Sequence, residues 1–509
     1  KPRYVREDLC TGRGECAKAC PVSVPNFWDL GMADRKAVGR AFPQSIPITF
    51  NIEKKNRAPC QSACPAGINV QGYVQLIKLG QFNRAAKIIM EKAPFPGVLG
   101  RVCPHPCESQ CRRKDVDQPV AIRELKRFAA DRACLGPDDI PDILDREEKV
   151  AVIGAGPCGL TCAYFLRLKG YQVTVYEKLS HGGGMLRTGI PSFRLPEEIL
   201  DREINFILDH GVKLVPGKAF GWDTTYDDLI SDGYSSVFLS AGAHKSLKLG
   251  LEGENETQGV MDAVRFLRDV NMKEKPDLGM KVVIIGGGNV AIDAARCARR
   301  IRDCQVTIVY RRTRAEMPAY QEEIEGALEE GVELLPLTAP IGIESEMGRV
   351  IGITCIKNEL GEPDESGRQR PVNIEGSEYL IPCDTIIPAI GQGSDFSWAH
   401  TIPGFEITPY NRAQVNPKTL QTTVDNLFAG GDMVTGPATV IEAIAQGRKA
   451  ADGIDAFING RLPEVGEEAF KDPEQAGSEK DGGNWADIPK DIERADRVDV
   501  KWADPGARV

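Results

Sequence analysis

One stretch of the chain, residues 149–178, constrains its fold more than any other. It reads KVAVIGAGPCGLTCAYFLRLKGYQVTVYEK, which predicts a buried strand, a tight turn, a helix and a second strand. Gly154, Gly156 and Gly159 stand at the G-x-G-x-x-G spacing. The first permits the turn, the second lets the backbone approach a pyrophosphate, and the third lets the helix lie close to the strand. The stretch predicts a dinucleotide-binding α/β unit, with a glycine turn needed only for packing as the alternative.

The second strand of this unit ends in an acid. Glu177 lies 23 residues after Gly154, where a carboxylate can accept hydrogen bonds from both hydroxyls of an adenosine ribose. A 2′-phosphate would be repelled there. The first unit therefore favours FAD.

A second unit of the same kind begins at residue 280, with the sequence MKVVIIGGGNVAIDAARCARRIRDCQVTIVYRRTRAEMPA. Its second strand ends in two arginines, whose guanidiniums can bind a 2′-phosphate, so this unit favours NADP. A solvated basic face is the alternative interpretation. The residues predicted to contact this nucleotide are Gly286, Gly288, Asn289, Val290, Arg311 and Arg312.

Cysteine usage points to metal clusters. Eight of the 15 cysteines fall within the first 111 residues, namely Cys10, Cys16, Cys20, Cys60, Cys64, Cys103, Cys107 and Cys111. Cysteine clusters next to proline, in a chain without a secretion signal, are typical of iron–sulfur proteins in a reducing cytoplasm. Zinc is the rival, but it usually takes C-x2-C pairs, whereas the last five cysteines form C-x3-C pairs.

The first three cysteines depart from the bacterial ferredoxin pattern, because Arg13 stands where that pattern has its second cysteine. Three interpretations stay open: a three-iron cluster, a four-iron cluster completed by another residue, or a decayed site. A sharing hypothesis joins Cys10, Cys16 and Cys20 to Cys60 and Cys111, so that the eight cysteines would serve two four-iron clusters.

Charge and hydropathy limit the partners. The formal net charge is -10 and the pI is about 5.3, which argues against nucleic acid and anionic membranes. No apolar run approaches about 18 residues, so no membrane insertion is predicted and a cytoplasmic location is expected.

The segment with the last five of these eight cysteines carries a specific family resemblance. It reads RAPCQSACPAGINVQGYVQLIKLGQFNRAAKIIMEKAPFPGVLGRVCPHPCESQCRR. Together with the two nucleotide units, roughly residues 55–460 resemble the glutamate synthase small chain, the N-terminal half of dihydropyrimidine dehydrogenase and the large subunit of ferredoxin:NADP oxidoreductases. About the first 50 residues resemble the flavin subunit of heterodisulfide reductase. The resemblance implies an α/β fold with two nested Rossmann-like domains, for FAD and NADP, preceded by an α-helical iron–sulfur domain.

The resemblance also implies two cluster ligand sets. Cys64, Cys103 and Cys107 would hold one [4Fe-4S] cluster, whereas Cys60 and Cys111 would belong to a second. The family's remaining positions for the second cluster fall on Ile52 and Lys55, which cannot serve as thiolates. A non-cysteine ligand is expected from the helix VAIRELKRFAAD, with Glu124 favoured over Lys126 because a lysine would have to be neutral.

Flavin contacts are implied in two further places. The first is a loop that would contact the flavin, with the sequence SHGGGMLRTGIPSFRLP; the alternative is that its glycine run is merely a flexible turn. The second is a motif that would hold the ribityl-phosphate region of FAD, with the sequence NLFAGGDMVTGPATVIEAIAQGRKAA. A helix from Ala438 is expected to point its N-terminus at the isoalloxazine. The residues expected to contact FAD here are Met185, Arg194, Gly391, Gly431, Asp432 and Thr439.

The predicted domains are a ferredoxin-like segment (1–50), an α-helical iron–sulfur domain (51–145), an FAD domain (146–275 and 385–462), an NAD(P) domain (276–384) and a tail (463–509). The implied function is that of an NAD(P)H-dependent electron-transfer flavoprotein. It would pass electrons between NADPH, FAD and [4Fe-4S] clusters, to or from ferredoxin or a larger enzyme subunit, within a hetero-oligomeric complex. A glutamate synthase small chain and a non-catalytic scaffold are the alternatives. Cys158 and Cys162, spaced C-x3-C, are predicted to be packing residues rather than a redox pair.

Overall fold

The computed structural model describes residues 11–20, 23–25, 34–40, 50–52, 58–364, 367–461 and 497, so the prediction for Cys10 lies outside the described residues. The N-terminal segment contains the short helix α1 (Glu15–Lys18) and the strands β1 (Ser23–Pro25), β2 (Asp34–Lys36), β3 (Val38–Gly39) and β4 (Asn51–Ile52). Strand β1 pairs with β2, and β3 with β4, both antiparallel. Cys20 is buried here against Ala37, Val38 and Phe50.

Six helices form the cysteine-rich domain: α2 (Pro59–Ser62), α3 (Val70–Lys78), α4 (Phe82–Met90), α5 (Pro96–Val102), α6 (Pro106–Ser109) and α7 (Ile122–Arg132). Helices α3 and α4 each bury one apolar face, through Tyr73 and Leu76 on α3 and through Ala85 and Ile89 on α4. Asn69 caps α3 by accepting a hydrogen bond from the amide of Gly72 at 3.0 Å. Helix α5 crosses α7 at Gly100, where an added Cβ would lie 2.5 Å from the Cα of Arg127, so only glycine allows this approach.

The first nucleotide unit follows the cysteine-rich domain in the sequence. It comprises β5 (Lys149–Ile153), α8 (Pro157–Leu168), β6 (Gln172–Tyr176), α9 (Met185–Thr188), α10 (Glu197–Asp209), β7 (Lys213–Val215), α11 (Tyr226–Ser231), β8 (Tyr234–Leu239) and β9 (Lys245–Ser246). The middle of the chain comprises α12 (Ala263–Asn271), β10 (Lys281–Ile285), α13 (Asn289–Ile301), β11 (Gln305–Val309), α14 (Gln321–Glu329), β12 (Glu333–Leu335), β13 (Thr338–Glu346), β14 (Arg349–Pro363), β15 (Gln369–Asn373), β16 (Tyr379–Pro382) and β17 (Thr385–Pro388). The last elements are β18 (Gln392–Gly393), β19 (Leu427–Ala429), α15 (Asp432–Thr435) and α16 (Val440–Ile458).

The first parallel sheet has the strand order β19-β8-β5-β6-β7. Its central strand β5 buries Val150 to Ile153 completely, as a strand covered on both faces requires. Helices α8 and α16 pack against each other. Gly447 of α16 permits this contact, because an added Cβ would lie 2.1 Å from the carbonyl oxygen of Cys158.

The second parallel sheet has the order β12-β11-β10-β17 and corrects one boundary. We predicted that the strand at 385–388 returns to the flavin domain, but β17 pairs with β10, with Val283 opposite Ile386. The apolar residues Ala263, Phe266 and Leu267 of α12 also pack in the core of the second sheet. The second unit therefore begins before residue 276 and ends after residue 384, because β17 and α12 complete its core.

An antiparallel sheet, formed by β13 to β16, is inserted between β12 and β17. Its buried residues Ile353 and Cys355 pack against Val283 and Ile285 of the second parallel sheet. No sequence pattern predicted this insertion. Among the residues that the structure describes, no helix is both long enough and apolar enough to cross a membrane.

Candidate functional site

The turn after β5 has the geometry expected of a phosphate-binding turn. Gly154 has a φ of 99°, and an added Cβ would lie 2.5 Å from the carbonyl oxygen of Ser240. A Cβ on Gly159 would lie 2.0 Å from the carbonyl oxygen of Gly154, because the start of α8 lies against the turn. By contrast, a Cβ on Gly156 would meet no atom within 4 Å. The first and third glycines are therefore needed for folding, and the second leaves open space that fits a dinucleotide phosphate.

Glu177 lies at the end of β6 and closes this turn. One carboxylate oxygen accepts a hydrogen bond from the amide of Ala155 at 2.7 Å, and the other accepts one from Leu179 at 2.9 Å. Burial raises the pKa of Glu177, whereas the backbone amides act against that rise. The acid is thus fixed beside the turn, and each oxygen keeps a lone pair for a further donor.

The glycine loop before Met185 is packed against the turn, which argues against a merely flexible loop. The amide of Gly183 donates to the carbonyl oxygen of Ala155 at 2.8 Å, and a Cβ on Gly184 would lie 2.9 Å from the Cα of Gly156. Met185 begins α9, and its sulfur accepts a hydrogen bond from the hydroxyl of Thr188 at 3.7 Å. Met185 therefore lies near the predicted flavin site.

Arg194 is engaged elsewhere in the structure. Its guanidinium pairs with Asp293 of α13 at 2.6 Å and with Glu323 of α14 at 3.0 Å. Burial raises the pKa of Asp293 to about 6, against the opposing effect of Arg194. These pairs join the two nucleotide units, so the structure assigns Arg194 an interdomain contact that the sequence did not reveal. Its contact with FAD stays a prediction.

The motif after β19 supplies the other side of the predicted flavin site. Gly431 has a φ of 71°, and its amide donates to the side chain of Gln446 at 2.7 Å. Asp432 is buried, which raises its pKa to about 6, and it accepts a hydrogen bond from the amide of Ala438 at 3.3 Å. Thr439 caps α16, because its hydroxyl accepts a hydrogen bond from the amide of Glu442 at 3.4 Å.

Gly391 and Cys158 are closely packed against neighbouring residues in this region. Gly391 has a φ of 143° and lies against the side chain of Leu247, which a Cβ would approach to 2.8 Å. Cys158 is buried beside Gly431, and burial raises the pKa values of Cys158 and Cys162 well above the usual thiol range. Both thiols therefore occupy the packing positions that were predicted for them.

The second turn repeats the geometry of the first. Gly286 has a φ of 145°, with the carbonyl oxygen of Ala389 2.3 Å from its would-be Cβ, whereas a Cβ on Gly288 would meet nothing within 4 Å. Asn289 begins α13 and accepts a hydrogen bond from the amide of Tyr320 at 3.0 Å, and the half-buried Val290 follows it. The open space at the second glycine again fits a dinucleotide phosphate.

The two arginines after β11 have different roles, which corrects the prediction that they act as a pair. Arg312 is buried. Its guanidinium donates to the carbonyl oxygen of Gln369 at 2.7 Å and pairs with Asp364 at 2.9 Å, so it holds the β14–β15 hairpin. Arg311 is exposed, and its guanidinium forms no hydrogen bond or ion pair with any residue that the structure describes. Only Arg311 is free to reach a 2′-phosphate.

Three of the predicted cluster ligands come together. Cys64, Cys103 and Cys107 line one cavity, whose other lining residues are Pro65, Ile68, Val70, Tyr73, Pro106, Ile122, Lys126 and Ile441. Burial raises the pKa of Cys107 to about 12, and the ammonium of Lys126 acts against that rise. Three thiols in a cavity whose other walls are apolar, apart from Tyr73 and Lys126, fit an iron–sulfur cluster.

Lys126, not Glu124, faces this cavity, which corrects the expectation from the sequence. Both lie on α7, but only one face of that helix is turned to the cysteines. Glu124 lies on another face, where it pairs with Arg123 at 3.0 Å. Lys126 is only 4% exposed and lies two residues further along, beside Ile122 on the buried face.

Cys60 and Cys111 form a separate pair beside this cavity. Burial raises the pKa of Cys60, and the neighbouring Cys111 adds to the rise. Cys16 is exposed, and Cys20 packs in a hydrophobic cluster distinct from the core against which Cys60 packs. Within the described residues, no group of three or more His, Cys, Asp or Glu side chains is arranged to hold a single metal ion. The sharing hypothesis for the N-terminal cysteines stays a prediction.

A buried carboxylate joins the cysteine domain to the flavin unit. Glu203 of α10 accepts hydrogen bonds from the amides of Gly97 and Val98, the latter at 3.0 Å, and so caps α5. Burial raises the pKa of Glu203 to about 7, although both amides act against that rise. The sequence gave no signal for this residue, because its partners lie more than 100 positions away.

Arg497 is the described residue of the predicted tail. Its guanidinium pairs at 2.8 Å with the carboxylate of Glu108, which lies on α6 between Cys107 and Cys111. The other oxygen of Glu108 accepts a hydrogen bond from the amide of Arg123 at 2.8 Å. At this position the tail touches the cysteine domain.

Comparison with known proteins identifies the family. The model described as pyridine nucleotide-disulphide oxidoreductase matches residues 148–447. The chain belongs to the pyridine nucleotide-disulphide oxidoreductase family. A second model, dihydropyrimidine dehydrogenase domain II with a 4Fe-4S cluster, matches residues 54–135. The two matches confirm the predicted FAD, NADP(H) and [4Fe-4S] cofactors and the implied family.

Three relatives of the chain are named as subunits or chains of larger enzymes. The NADP(+)-dependent formate dehydrogenase subunit beta of Moorella thermoacetica is 42% identical over 86% of this chain and 66% of its own length. The NADPH-Fe(3+) oxidoreductase subunit beta of Geobacter sulfurreducens is 40% identical over 79% and 64%. The chain thus spans just under two thirds of these two relatives. The glutamate synthase [NADPH] small chain of Escherichia coli is 36% identical over 78% of this chain and 87% of its own length.

A solved structure supports the fold. FprA from Mycobacterium tuberculosis has a TM-score of 0.53 and 19% identity, covering 63% of this chain and 88% of its own. The predicted α/β fold with two nested nucleotide-binding domains is confirmed.

Proposed function

We propose that the chain takes hydride from NADPH and delivers electrons, by way of its FAD and [4Fe-4S] clusters, to a redox protein partner. The flavin accepts a two-electron hydride and can release its electrons singly, which is the chemistry that the cofactors supply. The observation that carries the proposal lies at the start of α16. Ile441 lines the cysteine cavity, and the amide of Ala438, three residues earlier, donates to Asp432 of the predicted flavin site. One helix end thus touches both redox sites.

The residues of the chain bind and orient the cofactors in this scheme. Gly156 and Gly288 provide the open turns for the two pyrophosphates, and Glu177 accepts from the flavin ribose. Arg311 binds the 2′-phosphate of NADPH. Cys64, Cys103 and Cys107 hold one cluster, and Cys60 with Cys111 contributes to another.

A hetero-oligomeric complex in the cytoplasm is the proposed setting. The relatives whose names give a role are the beta subunit of a formate dehydrogenase, the beta subunit of an Fe(3+) oxidoreductase and the small chain of a glutamate synthase. The partner would be ferredoxin or a larger enzyme subunit. No substrate-converting domain is needed within this chain if that partner performs the final reaction.

Glutamate synthase small chain is a second candidate, favoured by the 87% coverage of the Escherichia coli relative. The two candidates differ in their partner, because only this one needs a glutamate-forming subunit. Co-purification from the native host separates them: a partner that makes glutamate from 2-oxoglutarate and glutamine in the presence of NADPH supports the second candidate. A partner without that activity supports the first. A scaffold without catalysis would show neither hydride uptake nor cluster reduction.

Anaerobic reduction of the purified chain tests the proposal. Adding NADPH should bleach the flavin absorbance and produce the EPR signal of reduced [4Fe-4S] clusters, with NADH acting more slowly. In a Cys103→Ala variant, flavin bleaching should persist while one cluster signal disappears. Flavin reduction with clusters that stay oxidised would refute the electron path, and a Cys103→Ala variant with unchanged iron would refute the ligand set.

A further inference from the structure

The cavity of the three cysteines contains one cation and no carboxylate. Its lining residues are the three thiols, Tyr73, Lys126 and apolar side chains. The hydroxyl of Tyr73 already donates to the carbonyl oxygen of Ile122 at 3.1 Å. Lys126 is 96% buried, and it forms no hydrogen bond or ion pair with any residue in the part of the chain that the structure describes.

A buried ammonium without a partner is expensive, so its presence calls for a counter-charge in the cavity. Three cysteine thiolates around an oxidised four-iron core leave a single net negative charge, which the ammonium of Lys126 balances. A carboxylate in place of Lys126 would instead double the negative charge within the same apolar walls. The residues that line this cavity thus supply three thiolates and one cation, and no fourth anionic ligand.

We propose that Lys126 acts as a cationic neighbour of the cluster rather than as its fourth ligand, and that the uncovered iron binds a small exogenous anion such as hydroxide, cyanide or a thiolate. Because Lys126 lines the same cavity as the three cysteines, its ammonium would pair with an anion bound there. It also stabilises the cluster after it gains an electron, and therefore raises its reduction potential. This inference rests on the ligand set Cys64, Cys103 and Cys107 proposed above.

Replacement of Lys126 in the full anaerobic chain tests the inference. Lys126→Met removes the charge and keeps an unbranched side chain, Lys126→Cys offers a fourth thiolate, and Lys78→Met on the exposed face of α3 is the matched control. The readouts are iron and flavin content, the EPR-monitored reduction potential, and the change of the EPR signal on addition of cyanide.

Lys126→Met should keep the iron content and shift the potential of one cluster to a more negative value, whereas Lys78→Met should shift nothing. Cyanide should alter the signal of one cluster in the parent and in Lys126→Met, but not in Lys126→Cys. Loss of about four irons from Lys126→Met with normal flavin content would show that Lys126 is a ligand and would overturn the inference, as would an unchanged potential. Unchanged iron in Cys103→Ala would instead overturn the ligand set and the inference together.

Discussion

Replacing Arg311 should weaken NADPH binding selectively. The guanidinium of Arg311 has no partner among the described residues, so the variant Arg311→Gln loses only a contact to the 2′-phosphate. A hydrogen bond to a charged group contributes about 1.5–3 kcal/mol, but exposed ion pairs contribute about 1 kcal/mol or less. Because Arg311 is exposed, we expect about 1–2 kcal/mol, which is about a 5- to 30-fold fall in kcat/KM for NADPH.

Arg312→Gln is the matched control for this experiment. Arg312 is buried and paired with Asp364, so its loss should lower the melting temperature and affect NADPH and NADH alike. The assay is steady-state reduction of a dye with each nucleotide, at low and high salt, since screening should shrink the effect at Arg311. Equal losses for both nucleotides in Arg311→Gln, or a selective loss of NADPH activity in Arg312→Gln, would refute this reasoning.

Three further outcomes are expected. The raised pKa of Glu203, about 7 in the folded chain, lies above its unfolded value, so its contribution to stability is greatest at low pH and falls as the pH rises through about 7. The melting temperature should therefore fall less between pH 5.5 and 8 in Glu203→Gln than in the parent; an equal fall would contradict this assignment. Gly156→Val should fold but lose FAD, whereas Gly159→Ala should fold poorly because its Cβ meets a backbone oxygen. Circular dichroism measures the folding of each variant, and flavin content measures its FAD binding. Cys158→Ala should lower the melting temperature by a few degrees and leave the iron content unchanged, and a loss of iron would overturn its packing role.

Most of the fold could be predicted from local sequence patterns. The glycine spacings, the apolar strands β5 and β10, and the acid Glu177 are all properties of consecutive residues, so the sequence sufficed to predict both nucleotide turns. The family resemblance, rather than the C-x3-C spacing, grouped Cys64, Cys103 and Cys107, and the structure places these three cysteines around one cavity.

Distant partners could not be read from the chain. Arg312 lies next to Arg311 in the sequence, but its partner Asp364 lies on a hairpin that no local pattern predicted. Glu124 and Lys126 are two residues apart, about 200° around α7, and so lie on nearly opposite faces. The mixed polarity of this short helix does not reveal which face packs against the cysteine loops. Strand β17 was misplaced for the same reason, because an apolar strand fits either sheet.

The start of α16 fixes the position of the predicted flavin site relative to the cysteine cavity. The amide of Ala438, just before the cap Thr439, donates to Asp432, and the first turn of the helix presents Ile441 at the cysteine cavity. Each residue of an α-helix advances by about 100°, so inserting a single residue after Thr439 would turn Ile441 away from the cavity while the cap stayed in place. An insertion or deletion of one residue between Thr439 and Ile441 would therefore change the position of one site relative to the other, whereas a change of length beyond Ile458 would not.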